Sequence, residues 1–134
     1  MGATSEHFTE SELACKCGCG VNACTQALVD ALEALRASVG KPITVLSGYR
    51  CPTYNAAIGG SRYSQHKLGN AADIRVAGMT SAELEAAAQQ IPAFHHGGIG
   101  RNDHAGFLHV DVRTHLARWT YDAEGKEAPY YPPV

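Results

Sequence analysis

The segment GFLHVDVR, residues 106–113, constrains the fold of this 134-residue chain more than any other. In an extended strand successive side chains point to opposite faces. Leu108, Val110 and Val112 therefore share one face, and Phe107, His109, Asp111 and Arg113 share the other. A helix would scatter both sets around its axis. The segment AADIRV, residues 71–76, repeats the pattern, with Ala72, Ile74 and Val76 opposed to Asp73 and Arg75. Two strands that each carry an aliphatic face and a face of acidic, basic or imidazole side chains call for a sheet packed on one side and lining something polar on the other.

The packing partners are helical. In TQALVDALEALRASVG the apolar residues Leu28, Val29, Leu32, Leu35 and Val39 recur at helical spacing, Thr25 is placed to cap the start, and Gly40 with Pro42 ends the run. TSAELEAAAQQI predicts a second helix, opened by a Thr80–Glu83 capping box and closed before Pro92. ITVLSGYR is β-branched and short, and reads as a strand leaving the core for a loop. CPTYNAAIGGSRY, punctuated by Pro52 and the Gly59–Gly60 pair, reads as irregular chain. The fold class is α+β. The length suits one domain over residues 1–134, with a Cys-rich segment at about 7–24 and a loose tail at about 122–134.

A net charge of −2 and a pI near 6.4 supply no field to attract nucleic acid. No apolar run reaches the ~18 residues of a membrane span, and the first twenty residues lack the apolar core of a secretory signal. The expectation is a monomer made in the cytoplasm and acting elsewhere only after release. Four of the five cysteines, Cys15, Cys17, Cys19 and Cys24, crowd into CKCGCGVNAC, and Cys51 stands apart. Disulfides, reduced thiols in a Gly-rich turn, and a metal site are all compatible with this pattern, although two separated Cys-x-x-Cys pairs are missing.

A catalytic zinc ion takes three nitrogen or oxygen ligands and leaves a fourth position to water. His66, Asp73 and His109 supply such a set. Two are close in sequence on a loop feeding a strand, one is remote, and the small residues Gly69, Ala71 and Ala72 let the backbone pass tightly beside the ion.

SQHKLGNAADI is similar to the Ser-x-His-x-x-Gly-x-Ala-x-Asp signature of the zinc D-alanyl-D-alanine carboxypeptidase family, a group that also resembles the hedgehog signalling domain and several phage endolysin peptidases. Ser64, His66, Gly69, Ala71 and Asp73 fill its five fixed places. HFTESELACKCGCG, SGYRCPTYN, GGIG and FLHVDVR followed by ARW resemble the short, single-domain branch of that family, from about His7 to Trp119. The resemblance implies a hedgehog/DD-peptidase-like fold, a small and mainly antiparallel sheet flanked by helices. It implies one Zn2+ per chain on His66, Asp73 and His109, and hydrolysis of peptidoglycan stem or cross-link peptides, at the cell wall after lysin-like release or as part of a virion. It also implies a role for Arg50 beside the metal, holding a substrate carbonyl or carboxylate, with Ser64 and Tyr49 in the substrate groove.

The chain departs from the family at the general base. Where many relatives carry Glu or Asp three residues before the second zinc histidine, this chain has Gly106. Asp111, on the same strand face as His109, is the carboxylate expected to take the proton. The exchanged arrangement, Asp111 on the metal and His109 assisting, stays open on alternation alone. Asp103 and His104 read as polar loop residues, and Trp119 as core or core edge. Without a base, the chain would be a non-catalytic zinc-containing phage tail or wall-binding module.

Overall fold

The computed structural model describes residues 2–61 and 63–131. A short helix α1 (Glu10–Leu13) precedes the long α2 (Gln26–Val39), followed by β1 (Thr44–Ser47), α3 (Pro52–Ala57), a 3-10 turn (Gln65–Leu68) and β2 (Ala71–Arg75). Helices α4 (Ser81–Ala88) and α5 (Pro92–His95) lead into β3 (Gly98–Asn102), β4 (Phe107–Asp111), β5 (Ala117–Tyr121) and β6 (Glu127–Ala128). The strands form one sheet in the order β1-β2-β4-β3-β5-β6. Among the described residues only β3 and β5 pair in parallel, and the other neighbours are antiparallel. The architecture is the expected α+β one.

The aliphatic faces behave as alternation requires. Ile74, Ile99, Leu108 and Val110 are fully buried against Leu28, Leu32 and Leu35 of α2, Leu84 of α4, and Phe94. Burying four such strand residues contributes on the order of 6–12 kcal/mol before chain entropy is counted. The caps expected for α2 and α4 form: Thr25 accepts from the Leu28 N–H, Gly40 closes α2 in a left-handed conformation, and the Thr80–Glu83 capping box is complete.

Two local expectations differ from the structure, and the short α1 had no sequence reading. Pro52 starts a helix where irregular chain was expected, because at the first helical position its missing N–H would be unpaired in any residue; Cys51 caps that helix. The short α1 is opened by a Thr9–Glu12 capping box. The tail expected to be loose is tied down over residues 127–131: β6 pairs with β5, Thr120 donates its hydroxyl to the Pro129 carbonyl at 2.7 Å, and Arg101 donates to the Tyr131 carbonyl.

Register positions the polar face. Asp73 lies directly opposite His109, which in turn faces Gly100, while Asp111 faces Ala71 on one side and Gly98 on the other. Opposed residues of neighbouring strands place their Cβ atoms about 4.5–5.5 Å apart. Pairing β2 with β4 is therefore what brings a carboxylate and an imidazole together across 36 residues of sequence.

Candidate metal centre

His66 arrives from the 3-10 turn rather than from a strand. The Ser64 hydroxyl accepts the His66 N–H at 3.2 Å and caps the turn, and Gly69 ends it at φ 73°. A Cβ at Gly69 would run into the Ala23 carbonyl oxygen, so both conformation and space demand glycine there. The chain then reverses into β2, and Asp73 enters the sheet seven residues after the histidine.

The ring of each histidine is fixed from behind. His66 Nδ1 lies 2.8 Å from the Gly48 carbonyl oxygen, which can only accept, so Nδ1 carries a proton, and Nε2, 3.2 Å from Asp73 Oδ1, is the nitrogen left to face a metal ion. His109 Nε2 lies 2.7 Å from Asp111 Oδ2, and its Nδ1 lies 3.1 Å from the same Asp73 Oδ1. The two rings meet edge to face with centroids 5.1 Å apart. His66 Nε2, Asp73 Oδ1 and His109 Nδ1 thus converge, and all three residues are buried. Tetrahedral zinc with donors at about 2.0–2.2 Å spaces them about 3.3–3.5 Å apart. The observed 3.1 and 3.2 Å separations fit that edge, and the set has the His2Asp composition that leaves a fourth position open.

The electrostatics agree. Burial by itself would raise the Asp73 carboxyl, but the facing imidazoles of His66 and His109 hold it far below the ordinary carboxylate range. Burial would lower His109, yet its bonds to Asp111 and Asp73 push it up to about 9. Without metal the focus of these atoms attracts a proton, and a divalent cation competes for the same place.

Asp111 stands on the far side of the His109 ring. It is fully buried and receives five donors. The Gly98 N–H at 2.8 Å, the Arg113 N–H at 3.1 Å and Arg113 Nε at 2.9 Å reach Oδ1, while His109 Nε2 and Arg113 Nη2, both at 2.7 Å, reach Oδ2. Burial opposes its ionisation, but these partners keep the carboxyl far below the usual range. A carboxylate so saturated and walled off has no lone pair to offer a water beside the metal. Its contact with the His109 Nε2, on the side of the ring away from Asp73, is the one an orienting group for a metal-bound imidazole makes.

Arg50 lies where the metal reading needs it, with its fork turned to protein groups. Nη2 donates to Asp73 Oδ2 at 3.2 Å, Nε to Ser47 at 3.1 Å and Nη1 to the buried Asn55 at 3.3 Å. It holds the Asp73 oxygen that the histidines do not face. Tyr49 packs at the edge of the core, and Ser64 serves as the cap described above. Asp103 bonds Ser81 and Arg101, and Arg101 pairs with Glu85 of α4, so Asp103 belongs to the helix side of the sheet. His104, His95 and His96 are exposed.

Trp119, expected at the core or its edge, is half-buried. It lies flat over Gly100, its ring centroid 5.0 Å from that of His109, with the Arg113 guanidinium 5.2 Å above it and Tyr121 and Phe107 continuing the row. The row forms an aromatic wall beside the metal ligands. Its sequence signal was period two within ARWTY, which puts Trp119 and Tyr121 on one strand face. The Gly48 carbonyl and Asn55 had no sequence signal.

Comparison with known proteins bears on this geometry. The family model described as Peptidase M15 matches residues 6–111. The chain belongs to the peptidase M15 family. It is also 37% identical, over 86 residues, to a zinc D-Ala-D-Ala carboxypeptidase from Streptomyces albus G, a match covering 61% of this chain and 34% of that relative. The chain therefore spans about a third of the length of the curated relative it matches. Within the M15 match lie His66, Asp73, His109 and Asp111, whereas Trp119 and Tyr121 fall beyond its end.

Proposed function

We propose that this M15 family member is a zinc peptidase that hydrolyses one peptide bond of a peptidoglycan stem or cross-link peptide. The observation that carries the reading is the convergence of His66 Nε2, Asp73 Oδ1 and His109 Nδ1, with the distal nitrogen of each histidine already engaged by another group. When bound there, Zn2+ supplies Lewis acidity, polarising a carbonyl and lowering the pKa of a water toward neutrality. The chain's own residues do the rest. Gly48 and Asp111 hold the imidazoles in the ligating tautomer, and Arg50 keeps Asp73 turned so that one oxygen meets the ion. Arg50, which binds Asp73 through Nη2, has N–H groups not spent on Ser47, Asn55 and Asp73, and these would serve as donors to a substrate carbonyl or carboxylate. The Trp119–Tyr121–Phe107 wall offers an apolar flank to an extended peptide.

The choice of a cell-wall peptide is supported by the activity named for the Streptomyces albus G relative. With that substrate the chain acts at the cell wall, as a monomer whose ligand set comes from a single copy, in the manner of a carboxypeptidase or an endolysin-type endopeptidase. The test is incubation of the zinc-loaded protein with purified peptidoglycan and with synthetic stem peptides, followed by mass analysis. Loss of a terminal D-alanine identifies a carboxypeptidase, and internal fragments identify an endopeptidase. No product from either substrate, with zinc in place, refutes the enzyme. A second reading, a peptide-capturing wall module, is favoured by two observations: Gly106 occupies the position of the usual base, and Asp111 is saturated. It predicts retention of peptidoglycan fragments without cleavage.

A further inference from the structure

The cysteines, not needed for the centre above, assemble a second constellation. The Sγ atoms of Cys15, Cys17, Cys19 and Cys51 all lie within 4.8 Å of one another. Cys15 is 3.4 Å from Cys17 and 3.7 Å from Cys51, and Cys17 is 3.9 Å from Cys51. A disulfide would bring one pair to about 2.0 Å and set it apart from the others. Thiolates at about 2.3 Å around tetrahedral zinc stand about 3.8 Å from each other. The Cys15, Cys17 and Cys51 separations of 3.4, 3.7 and 3.9 Å lie about that edge.

We propose that Cys15, Cys17, Cys19 and Cys51 form a structural Zn2+ site, so that the chain carries two zinc ions rather than the single one expected from sequence. The local chain is shaped for it. In CKCGC the φ of 93° at Gly18 folds the backbone back, so that three alternate cysteines gather instead of standing about 7 Å apart along one face of an extended chain. The fourth ligand arrives from 32 residues further on, as the cap of α3. Backbone donors address the sulfurs: the Cys51 N–H reaches Cys15 Sγ at 3.4 Å, and the Tyr54 N–H reaches Cys51 Sγ at 3.5 Å. Such bonds favour thiolate over thiol and orient it toward an ion. Cys24, the odd cysteine, is buried elsewhere, with its thiol 3.8 Å from the Leu13 carbonyl.

Four protein ligands close the site, in contrast to the three-ligand centre, so its role is mechanical. Cys51 directly follows Arg50, whose N–H bonds the His66 carbonyl at 3.1 Å; Tyr49 bonds Leu13 at 2.9 Å; and Gly48 orients the His66 ring. A thiolate clamp at Cys51 anchors residues 48–51, which hold two members of the other centre, to the N-terminal segment. The proposal does not depend on peptidase activity.

Metal analysis of protein purified under reducing conditions with added Zn2+ tests it. Wild type should hold two zinc ions per chain, Cys17→Ser/Cys19→Ser one, and His66→Ala/Asp73→Ala one. Loaded with Co2+, the His66→Ala/Asp73→Ala protein should keep intense thiolate-to-metal charge-transfer absorption, and p-hydroxymercuribenzoate should release a single zinc from it. One zinc in the reduced wild type that is lost in His66→Ala/Asp73→Ala, or cobalt-loaded protein without thiolate absorption, overturns the site. So does an intact mass lacking two hydrogens per cysteine pair in protein never exposed to oxidant. Should the double serine variant not accumulate in folded form, the cobalt spectrum and mercurial titration of the His66→Ala/Asp73→Ala protein and of wild type decide alone.

Discussion

Replacing Asp111 by Asn isolates what this carboxylate does. The change keeps volume and shape but turns one of two accepting oxygens into a donor. If the amide oxygen takes the Oδ1 place, it retains the Gly98 N–H and both Arg113 donors there, and its NH2 then faces Arg113 Nη2 and His109 Nε2. To avoid opposing donors, the His109 ring must release its Nε2 proton and carry one on Nδ1, the atom aimed at Asp73 and the metal. The opposite flip keeps His109 paired and sets the NH2 against three donors instead. Either choice leaves part of a buried guanidinium–carboxylate pair unmatched, which costs about 3 kcal/mol of fold stability when one partner's charge is removed. The wrong tautomer or a loosened ring weakens zinc binding by about 10–100-fold, the usual effect of removing the group that orients a ligating histidine. Chelator competition measures the affinity, and urea denaturation of the metal-free protein measures the stability. A variant that binds zinc as tightly as wild type while turnover drops by about 10²–10⁴-fold would show Asp111 to be a general base after all, and the orienting role would be wrong.

Other consequences are equally direct. Gly69→Ala should destabilise the fold by about 2–5 kcal/mol, since left-handed backbone and the clash with Ala23 add together; a change under 1 kcal/mol in denaturant melts would contradict the turn geometry. Arg50→Ala should keep zinc at the three-ligand centre but lower turnover by at least about 10-fold, and Arg50→Lys should not restore it, because a point charge cannot reach Asp73, Ser47 and Asn55 together. In protein stripped of metal, His109 titrates at about 9 against about 6.5 when unfolded. Its charged form therefore stabilises fully below pH 6.5, and that contribution disappears as pH rises through 9. Metal-free stability should fall across this window while zinc affinity climbs, and a flat stability profile would remove the coupling.

The sequence by itself determined whatever depends on short-range periodicity and local chemistry. Alternation along GFLHVDVR and AADIRV placed Asp73 and His109 on polar faces, because the side-chain direction of a strand is a property of two adjacent residues. Thr25 and Thr80 marked helix starts, because a cap bonds within three residues. Ser64, His66, Gly69 and Asp73 could be read as one turn feeding a strand for the same reason. Strand β3 was not readable: its Gly98 and Gly100 lower local strand preference, and they are there to make room for neighbours in space, the Asp111 carboxylate over one and the Trp119 indole over the other. Alternation set His109 and Asp111 on one face without saying which of them meets the metal. Only the sheet set their different surroundings: β2 lays Asp73 against the Nδ1 side of His109, while Gly98 and Arg113 enclose Asp111 behind its Nε2. Nor could spacing choose the partner of Cys51 among the clustered cysteines. That choice follows from the meeting of α1 with the segment after β1, where Gly48 passes so close to Leu13 that a side chain would not fit. Contacts between residues distant in sequence are made by packing, and packing belongs to the whole chain.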